Sequence, residues 1–495
     1  MTANRAAPIG QRRRGLARRR SRGPLGSAGR QKPLYRADDS GDGVHLSPRL
    51  FGGSDVEGWG RAFESFQRLN ESAFKALALT PRFESTPRGP ELKLFPGAHV
   101  GAIPLRSGTS GHVVAGFVVR PRFGWSGVGS ILAHTGWHAA PDILSMPLVP
   151  GSGREVPPWV LAGPVLARLR RLLDALKRGF DFRTDTLRAP RGTILWSRYI
   201  RQSISAGRWH HVPSRFPDLS SDPLLRGAVR WTLERVLQEL VLVGGEDRIA
   251  VDLERDAQRL LDRVNDVPRV YPRPELLRRM AGSDPLLEET LRSGLDAIGW
   301  VRDERGLGGG RQMDGLAWSM ALDRLWEYHV EAHVRDEVRR TGGVVRAGRL
   351  GETVTPLHWT DPSHRSLGHL VPDIAVTRGR GVWIIDAKYK SHFAEIDESG
   401  WRRMADDIRE SHRADLHQAL AYASLFDADE ITTTLAYPLR LLTWTALKAR
   451  GIDRSTAEVY HGARHITLEL WGLPFSATFP KASSRPLALS RRNSW

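Results

Sequence analysis

Two short β-branched segments around a glycine-containing stretch constrain the fold more than any other part of this sequence. They span residues 373–376 and 382–387, and Arg378-Gly379-Arg380-Gly381 lies between them. Apolar β-branched runs on both sides of such a turn are typical of a β-hairpin. The second segment is apolar almost throughout, which predicts a strand buried inside a sheet.

Charged residues gather at one end of this hairpin. Side chains alternate between the faces of a strand, so Asp386 and Lys388 share a face, and Asp373 opens the partner strand beside them. Of the 73 Lys and Arg residues only eight are Lys, and two of these are Lys388 and Lys390. A lysine is a compact charge whose pKa responds to its surroundings, so it can orient an attacking water or help to deprotonate it. Two carboxylates and an ammonium predict a site for a divalent cation.

The same residues carry a family resemblance. Pro372-Asp373 followed by Asp386-Ala387-Lys388 resembles the active-site hairpin of the PD-(D/E)XK nuclease superfamily. The resemblance implies Mg²⁺-dependent hydrolysis of DNA phosphodiesters, with Asp373, Asp386 and the carbonyl of Ala387 on the metal and Lys388 positioning the water. The alternative is an edge strand with solvated charges, which the apolar segment argues against because unpaired charges are costly in a buried strand.

A long segment with helical periodicity precedes the hairpin. Residues 314–341 predict one helix, and Glu327 lies at the edge of its apolar stripe. The LWEYHV stretch around Glu327 resembles the L-F-E-x-x-V form of McrC-like proteins, which implies a third carboxylate at the metal. Glu331, one turn further on, competes for this role, and an exposed Glu327 that pairs with a nearby arginine is the alternative.

A second helix is predicted after the hairpin, over residues 402–426, where Gln418 and Tyr422 share a face. This pair resembles the Q-x-x-x-Y motif that follows D-x-K in RecB-like and McrC-like nucleases. The resemblance implies that Gln418 holds a phosphate, a water or the catalytic carboxylate, and that Tyr422 lines the DNA groove. A polar pair packed on the sheet edge is the alternative.

The chain before these elements carries a further resemblance. VVRPRFGW (118–125), Lys177-Arg178-Gly179, Arg191-Gly192-Thr193-Ile194 and SSDPLLRGAVRWTLERVL (220–237) follow one another in the order seen in McrC, the nuclease subunit of McrBC-type modification-dependent restriction systems. Helices are predicted near 58–78, 157–179, 222–243, 247–265, 274–281 and 285–298.

These observations predict a multidomain α+β or α/β chain. The predicted units are a disordered basic arm (1–45), a β-rich and helical N-terminal body (46–310; β-rich about 90–150, helical about 155–310), a C-terminal PD-(D/E)XK restriction-endonuclease-like domain (311–476) and a tail (477–495).

The resemblance to McrC also implies a partner. Such a subunit works with an McrB-like AAA+ GTPase hexamer that translocates DNA, and the N-terminal body is expected to dock on this motor and stimulate it. The glycine-rich stretch 306–310 lacks the Lys-Ser/Thr of a P-loop, so the nucleotide is expected on the partner and Mg²⁺ on this chain. The expected role is defence against foreign, often modified, DNA.

The net charge of +18 predicts a polyanionic partner such as DNA. Residues 1–33 hold nine Arg, one Lys and no acidic residue, so much of the charge lies in the arm; a transit-like leader and a misplaced start codon are alternatives to DNA binding. The chain has no cysteine, which excludes disulfides and thiolate metal sites. It also has no apolar run of membrane-spanning length and no secretory signal, so a cytoplasmic location without membrane attachment is expected.

Two other functions fit parts of this pattern. One is a non-cleaving DNA-binding adaptor that activates an AAA+ motor and keeps a vestigial nuclease fold; the complete set of Asp373, Asp386 and Lys388 argues against it. The other is a stand-alone repair-type nuclease, which a neighbouring gene with Walker motifs would argue against.

Four histidines flank the hairpin, but their spacing fits no known zinc pattern, so no histidine metal site is predicted: His358, His364, His369 and His392.

Overall fold

The computed structural model describes residues 32–47, 50, 59–86, 89–137, 139, 141–152, 157–176, 179–220, 222–243, 248–280, 288–303, 314–360, 367–399, 403, 405–461 and 464–477. The predictions for residues 1–31, for the glycine-rich stretch 306–310 and for 478–495 lie outside this part of the chain. Helices and strands alternate through the described residues, which confirms the predicted mixed α and β class.

The first elements build two sheets and two helices. Their bounds are β1 Leu34–Asp38, β2 Val44–Leu46, α1 Trp59–Ala76, β3 Thr80–Thr86, β4 Gly89–Phe95, β5 His99–Arg106, β6 Val113–Arg120, α2 Trp125–His134 and β7 Asp142–Ile143. The strands β2, β4 and β3 form an antiparallel sheet. The prediction that residues 1–45 are disordered is wrong for β1 and β2, because β1 pairs in parallel with β6. That pairing depends on a partner far along the chain, which local composition does not reveal.

The middle of the chain is mainly helical. Its elements are α3 Pro158–Ala175, β8 Gly179–Leu187, β9 Thr193–Ile194, α4 Trp196–Tyr199, β10 Val212–Ser220, α5 Pro223–Val243, α6 Arg248–Asp262, α7 Pro274–Met280 and α8 Glu288–Arg302. A π-helical turn, Ile200–Ile204, continues α4. The helix predicted over 157–179 ends at Ala175, because Gly179 already begins β8, which pairs with β10 along its whole length.

The last third of the chain contains a six-stranded mixed sheet with helices packed on it. The elements of this part of the chain are β11 Trp318–Ala321, α9 Leu322–Thr341, β12 Val344–Ala347, β13 Thr355–Pro356, β14 His369–Leu370, β15 Ile374–Arg378, β16 Gly381–Ala387, α10 His392–Ser399, α11 Asp406–Ala423, β17 Glu430–Leu439, α12 Leu441–Arg450, β18 Arg454–His461 and β19 Arg464–Pro474. The strand order of the six-stranded sheet is β12-β15-β16-β17-β19-β18, and β13 pairs with β14 separately. The predicted hairpin is β15–β16, in which Ile374 pairs with Ile385 and Gly379 takes a φ of 59° in the turn.

The prediction of a single helix over 314–341 is wrong at its start. Residues 318–321 are the strand β11, which pairs with β5, and the helix α9 begins only at Leu322. The N-terminal sheet therefore has the order β1-β6-β5-β11-β7. Gly101 permits this pairing, since a Cβ there would lie 2.1 Å from the carbonyl oxygen of Trp318. The boundary predicted at 310/311 thus precedes a strand of the N-terminal sheet, and one buried core runs through both parts.

Three histidines lie where α2 packs on α9. Nε2 of His333 lies 3.3 Å from Nε2 of His329, and the ring of His134 stacks on that of His333. Burial and, to a smaller extent, the neighbouring His134 together lower the pKa of His333 to about 4. Burial likewise holds the pKa of His329 well below its ordinary value.

Acid is therefore expected to destabilise this junction. The folded chain keeps His333 neutral while the unfolded chain binds a proton near pH 6.5, so the free energy of unfolding falls as the pH drops from 6.5 to about 4. The loss is on the order of 3 kcal/mol at the acid end of that window. We expect His333→Gln to reduce the fall in melting temperature between about pH 7.5 and about pH 5. The exposed control His210→Gln should leave that fall unchanged; the same fall in His333→Gln would contradict the assignment.

Candidate active site

The two predicted carboxylates meet at the end of the central hairpin. Asp373 directly precedes β15, and Asp386 is the next-to-last residue of β16. The peptide N–H of Ala387 donates to Oδ2 of Asp373 at 2.8 Å, which fixes this carboxylate across the strand pair. Asp386 is only 3 % exposed. Because Ile374 pairs with Ile385, the next residues outward, Asp373 and Asp386, lie opposite each other at this end of the hairpin.

The electrostatics of this pair favour a cation. Burial raises the pKa of Asp373 well above its ordinary value, and the neighbouring Asp386 carboxylate raises it further. Oδ2 of Asp386 is buried and accepts no well-directed hydrogen bond from the described part of the chain, although Nζ of Lys388 lies 2.8 Å from it. Two close carboxylates that share a single nearby ammonium fit a hard divalent cation, which takes oxygen ligands.

Lys388 connects the carboxylates to the helix α11. Its Nζ donates to Oε1 of Gln418 at 2.8 Å, and Nε2 of Gln418 donates to the hydroxyl of Tyr422 at 2.7 Å. Lys388 and Gln418 lie far apart in the sequence, so no local pattern indicates that they touch. In the structure, Gln418 and Tyr422 lie at the end of β16. In this state Gln418 holds the lysine ammonium and not a carboxylate.

The lysine is charged in this environment. Burial by itself lowers the pKa of Lys388, but the negative charges of Asp386, Asp415 and Asp373 raise it above its ordinary value overall. The ammonium therefore keeps its proton at neutral pH. It can donate a hydrogen bond to a water or a phosphate oxygen, but it cannot accept a proton while it is charged.

The structure separates the two glutamates that competed for the third carboxylate. Burial raises the pKa of Glu327, and the charges acting on it include those of Asp386 and Lys388, so Glu327 lies within electrostatic range of the site. Glu331 accepts hydrogen bonds from Arg335 at 2.7 Å and from Arg349 at 2.6 Å. These two arginines lower the pKa of Glu331 although burial opposes them, and they leave Glu331 in an ion-pair cluster.

Sequence reasoning missed a further carboxylate behind the lysine. Asp415 is buried on α11, three residues before Gln418. Nζ of Lys390 donates to both of its oxygens, at 2.7 and 2.9 Å, and Nζ of Lys388 lies 4.0 Å from Oδ1. The i, i+3 spacing of Asp415 and Gln418 on one helix face is the signal that would have indicated it.

Asp415 also belongs to a second group with metal-ligand geometry. Ligand atoms of His392, His412 and Asp415 all lie within 4.8 Å of one another. The spacing of the histidines that flank the hairpin did not indicate this group, because His412 and Asp415 lie on α11, further along the chain. The ammonium of Lys390 already neutralises Asp415 there. Of the other flanking histidines, His369 lies in β14 and His364 lies outside the described residues.

The structure thus brings two carboxylates and a charged lysine together at the end of a mixed sheet, which makes this the candidate site of the chain. Residues 306–438, which include this site, match the family model described as McrBC 5-methylcytosine restriction system component. The match confirms the resemblance to McrBC proteins that the hairpin, α9 and α11 predicted.

Among the solved structures that this chain resembles are two from Thermococcus gammatolerans. The first is from the refined half-complex of a tetradecameric assembly of McrB AAA+ hexamers with bound McrC; it is 14 % identical, with a TM-score of 0.39 over 90 % of this chain and 97 % of that one. The second is from the cryo-EM structure of the McrBC complex; it is 13 % identical, with a TM-score of 0.26 over 62 % of this chain and 88 % of that one. No curated protein matches the sequence significantly. Among the described helices, none has the length and apolarity needed to span a bilayer.

Proposed function

We propose that this chain is the Mg²⁺-dependent DNA endonuclease subunit of a restriction system and that residues 314–476 act as a PD-(D/E)XK nuclease. The observation that carries the proposal is the meeting of Asp373, Asp386 and Lys388 at the end of β16. The match of residues 306–438 to a restriction-system component supports DNA as the substrate.

The donor set suits Mg²⁺. Asp373 and Asp386 would hold the ion, helped by the carbonyl of Ala387 and by Glu327, whose pKa is raised by burial and by nearby negative charge. When bound, the ion lowers the pKa of a water and stabilises negative charge on a phosphate. Burial raises the pKa of Asp373, and the negative charge of Asp386 beside it raises that pKa further, which is the environment that a bound cation would relieve.

Lys388 positions the attacking water or a non-bridging phosphate oxygen as a hydrogen-bond donor. Gln418 fixes the direction of its ammonium, and Tyr422 in turn fixes the Gln418 amide. The carboxylates around Lys388 raise its pKa and favour the ammonium form, which can donate a hydrogen bond to the water and orient it. This network is held on a strand and a helix, which suits a site that must be rigid.

The partner follows from the same proposal. The chain would act in the cytoplasm with an AAA+ GTPase of the McrB type, which binds the nucleotide and moves the DNA, and the N-terminal body would dock on it. Because β1, β2 and β11 belong to the N-terminal sheets, a fragment limited to residues 46–310 would lack strands that complete them. Docking is therefore best tested with full-length chains.

The proposal is tested by cleavage of a 5-methylcytosine plasmid with the chain, its AAA+ partner, GTP and Mg²⁺. We expect EDTA to abolish cleavage. We expect Glu327→Gln to raise the Mg²⁺ concentration for half-maximal cleavage by roughly tenfold, since it removes one charge near the ion. Glu331→Gln is the matched variant one turn away and should leave that concentration unchanged, because arginines hold Glu331. Cleavage that persists in EDTA would refute the proposal.

A further inference from the structure

The residue between the two lysines connects the hairpin to the N-terminal sheet. The hydroxyl of Tyr389 donates to Oδ2 of Asp39 at 2.9 Å, and Asp39 is completely buried just after β1. The peptide N–H of Arg122 donates to Oδ1 of the same carboxylate at 2.6 Å. Asp39 thus links the segment after β6 with the segment after β16.

Arg122 and Phe123 complete this junction. The Arg122 guanidinium lies 4.6 Å from the centre of the Tyr389 ring and donates to the Tyr389 carbonyl at 3.3 Å. Phe123 packs edge-on against Tyr389 and stacks on Phe475, which follows β19. Arg122 and Phe123 belong to the VVRPRFGW stretch, to which the proposed chemistry assigns no role.

The backbone around Tyr389 is a tight turn at the end of β16. The N–H of Lys390 donates to the carbonyl of Lys388 at 2.9 Å, and the N–H of Lys388 donates to the carbonyl of Ala436 at 2.8 Å. The two lysines reach α11, where they contact Gln418 and Asp415, while Tyr389 reaches the N-terminal sheet. A displacement of Tyr389 must therefore shift Lys388, since one peptide unit joins them.

We propose that Asp39 and Arg122 are positioning residues that act through Tyr389. The N-terminal half of the chain, which carries both residues next to the sheet β1-β6-β5-β11-β7, thereby holds Lys388 in place for catalysis. This inference rests on the proposed nuclease function and adds a regulation to it. In this proposal, cleavage requires the contacts of Asp39 and Arg122 with Tyr389 to be formed. A motion of the N-terminal half that breaks these contacts displaces Lys388. The two halves are then not a docking module and an independent nuclease, but one unit.

The test uses full-length Tyr389→Phe, which keeps the ring and removes the hydroxyl that bonds Asp39. We expect the cleavage kcat to fall about tenfold, because Lys388 is less well positioned. The KM for DNA and the Mg²⁺ requirement should stay within about twofold, since neither involves Tyr389. Asp39→Asn, which changes only the N-terminal half, should lower kcat in the same direction. Tyr460→Phe, which removes an exposed hydroxyl from β18, is the matched control and should cleave normally.

Two readouts separate positioning from general destabilisation. Combined with Lys388→Ala, Tyr389→Phe should cost nothing further in residual cleavage, because its effect passes through Lys388. Hydrogen exchange of peptides that span 386–390 should increase in Tyr389→Phe by more than exchange of peptides elsewhere in the chain, which a general loss of stability would not produce. Wild-type kcat and exchange in Tyr389→Phe, or an equal loss in the Lys388→Ala background, would overturn the inference. If the wild-type chain does not cleave DNA, the proposed function fails, and the exchange measurement still decides whether Tyr389 holds this segment.

Discussion

Asp386→Asn is expected to abolish DNA cleavage, with a loss of roughly a hundredfold or more if the carboxylate supplies about 3 kcal/mol of transition-state stabilisation. The substitution keeps the shape of the side chain and removes the charge that would hold Mg²⁺. Asp386 is buried beside Asp373 and lies 2.8 Å from the Lys388 ammonium, and the proposed function assigns it to the metal. Cleavage is measured with the 5-methylcytosine plasmid, the AAA+ partner, GTP and Mg²⁺.

Other properties of this variant separate a nuclease from an adaptor. The variant should remain folded by circular dichroism, because the relief of repulsion with Asp373 opposes the loss of the ion pair with Lys388. Stimulation of GTP hydrolysis by the partner should remain, since the proposed docking surface lies in the N-terminal half. The control is Asp429→Asn, which alters an exposed carboxylate just before β17 that pairs with Arg380, and it should cleave normally. Normal cleavage by folded Asp386→Asn would leave the adaptor function standing.

The parts of the site that the sequence predicted are those encoded over short distances. The hairpin β15–β16 follows from apolar alternation around a glycine turn, and the observed pairing of Ile374 with Ile385 matches it. Alternation along β16 also put Asp386 and Lys388 on one face, and helical spacing put Gln418 beside Tyr422. In each case the periodicity of one element determines which side chains are neighbours.

The parts that the sequence did not predict depend on pairings between distant segments. The sequence of β11 predicts the start of a helix, but its pairing with β5 makes it a strand. Gly101 in β5 permits this pairing because a side chain there would collide with the β11 backbone. Asp39 lies in a segment that composition assigns to a disordered arm, yet it is buried against Tyr389. Burial of a polar residue by a distant segment leaves no periodic signal in either segment.

The choice between Glu327 and Glu331 shows the same limit at the level of one helix. Both lie near the apolar stripe of α9, and helical periodicity cannot separate residues one turn apart. The difference is made by Arg349, which lies beyond β12 and bonds Glu331. The distant partner, and not the helix, therefore indicates which carboxylate remains available to the site.

Lys388→Ala is expected to cost roughly a hundredfold in cleavage, because it removes the ammonium that donates to the water or the phosphate oxygen. Without this cation, Asp386 is left near Asp373 with no compensating charge, so the melting temperature should fall by a few degrees in EDTA and recover when Mg²⁺ binds. That recovery would report metal binding at the carboxylates independently of cleavage.

Lys390→Ala is the matched control for Lys388→Ala, since it removes the same group two residues away. Lys390 bonds Asp415 and Ser411 and makes no contact with Asp386 among the described residues, so its loss should reduce cleavage by less than about tenfold. Asp415 lies 4.0 Å from the Lys388 ammonium and would keep a cationic neighbour in this variant. Equal losses of cleavage in the two variants would contradict the catalytic role of Lys388. They would mean that both lysines contribute positive charge to DNA binding. The two cases are distinguished by KM, which a lost binding charge raises, and kcat, which a lost catalytic donor lowers.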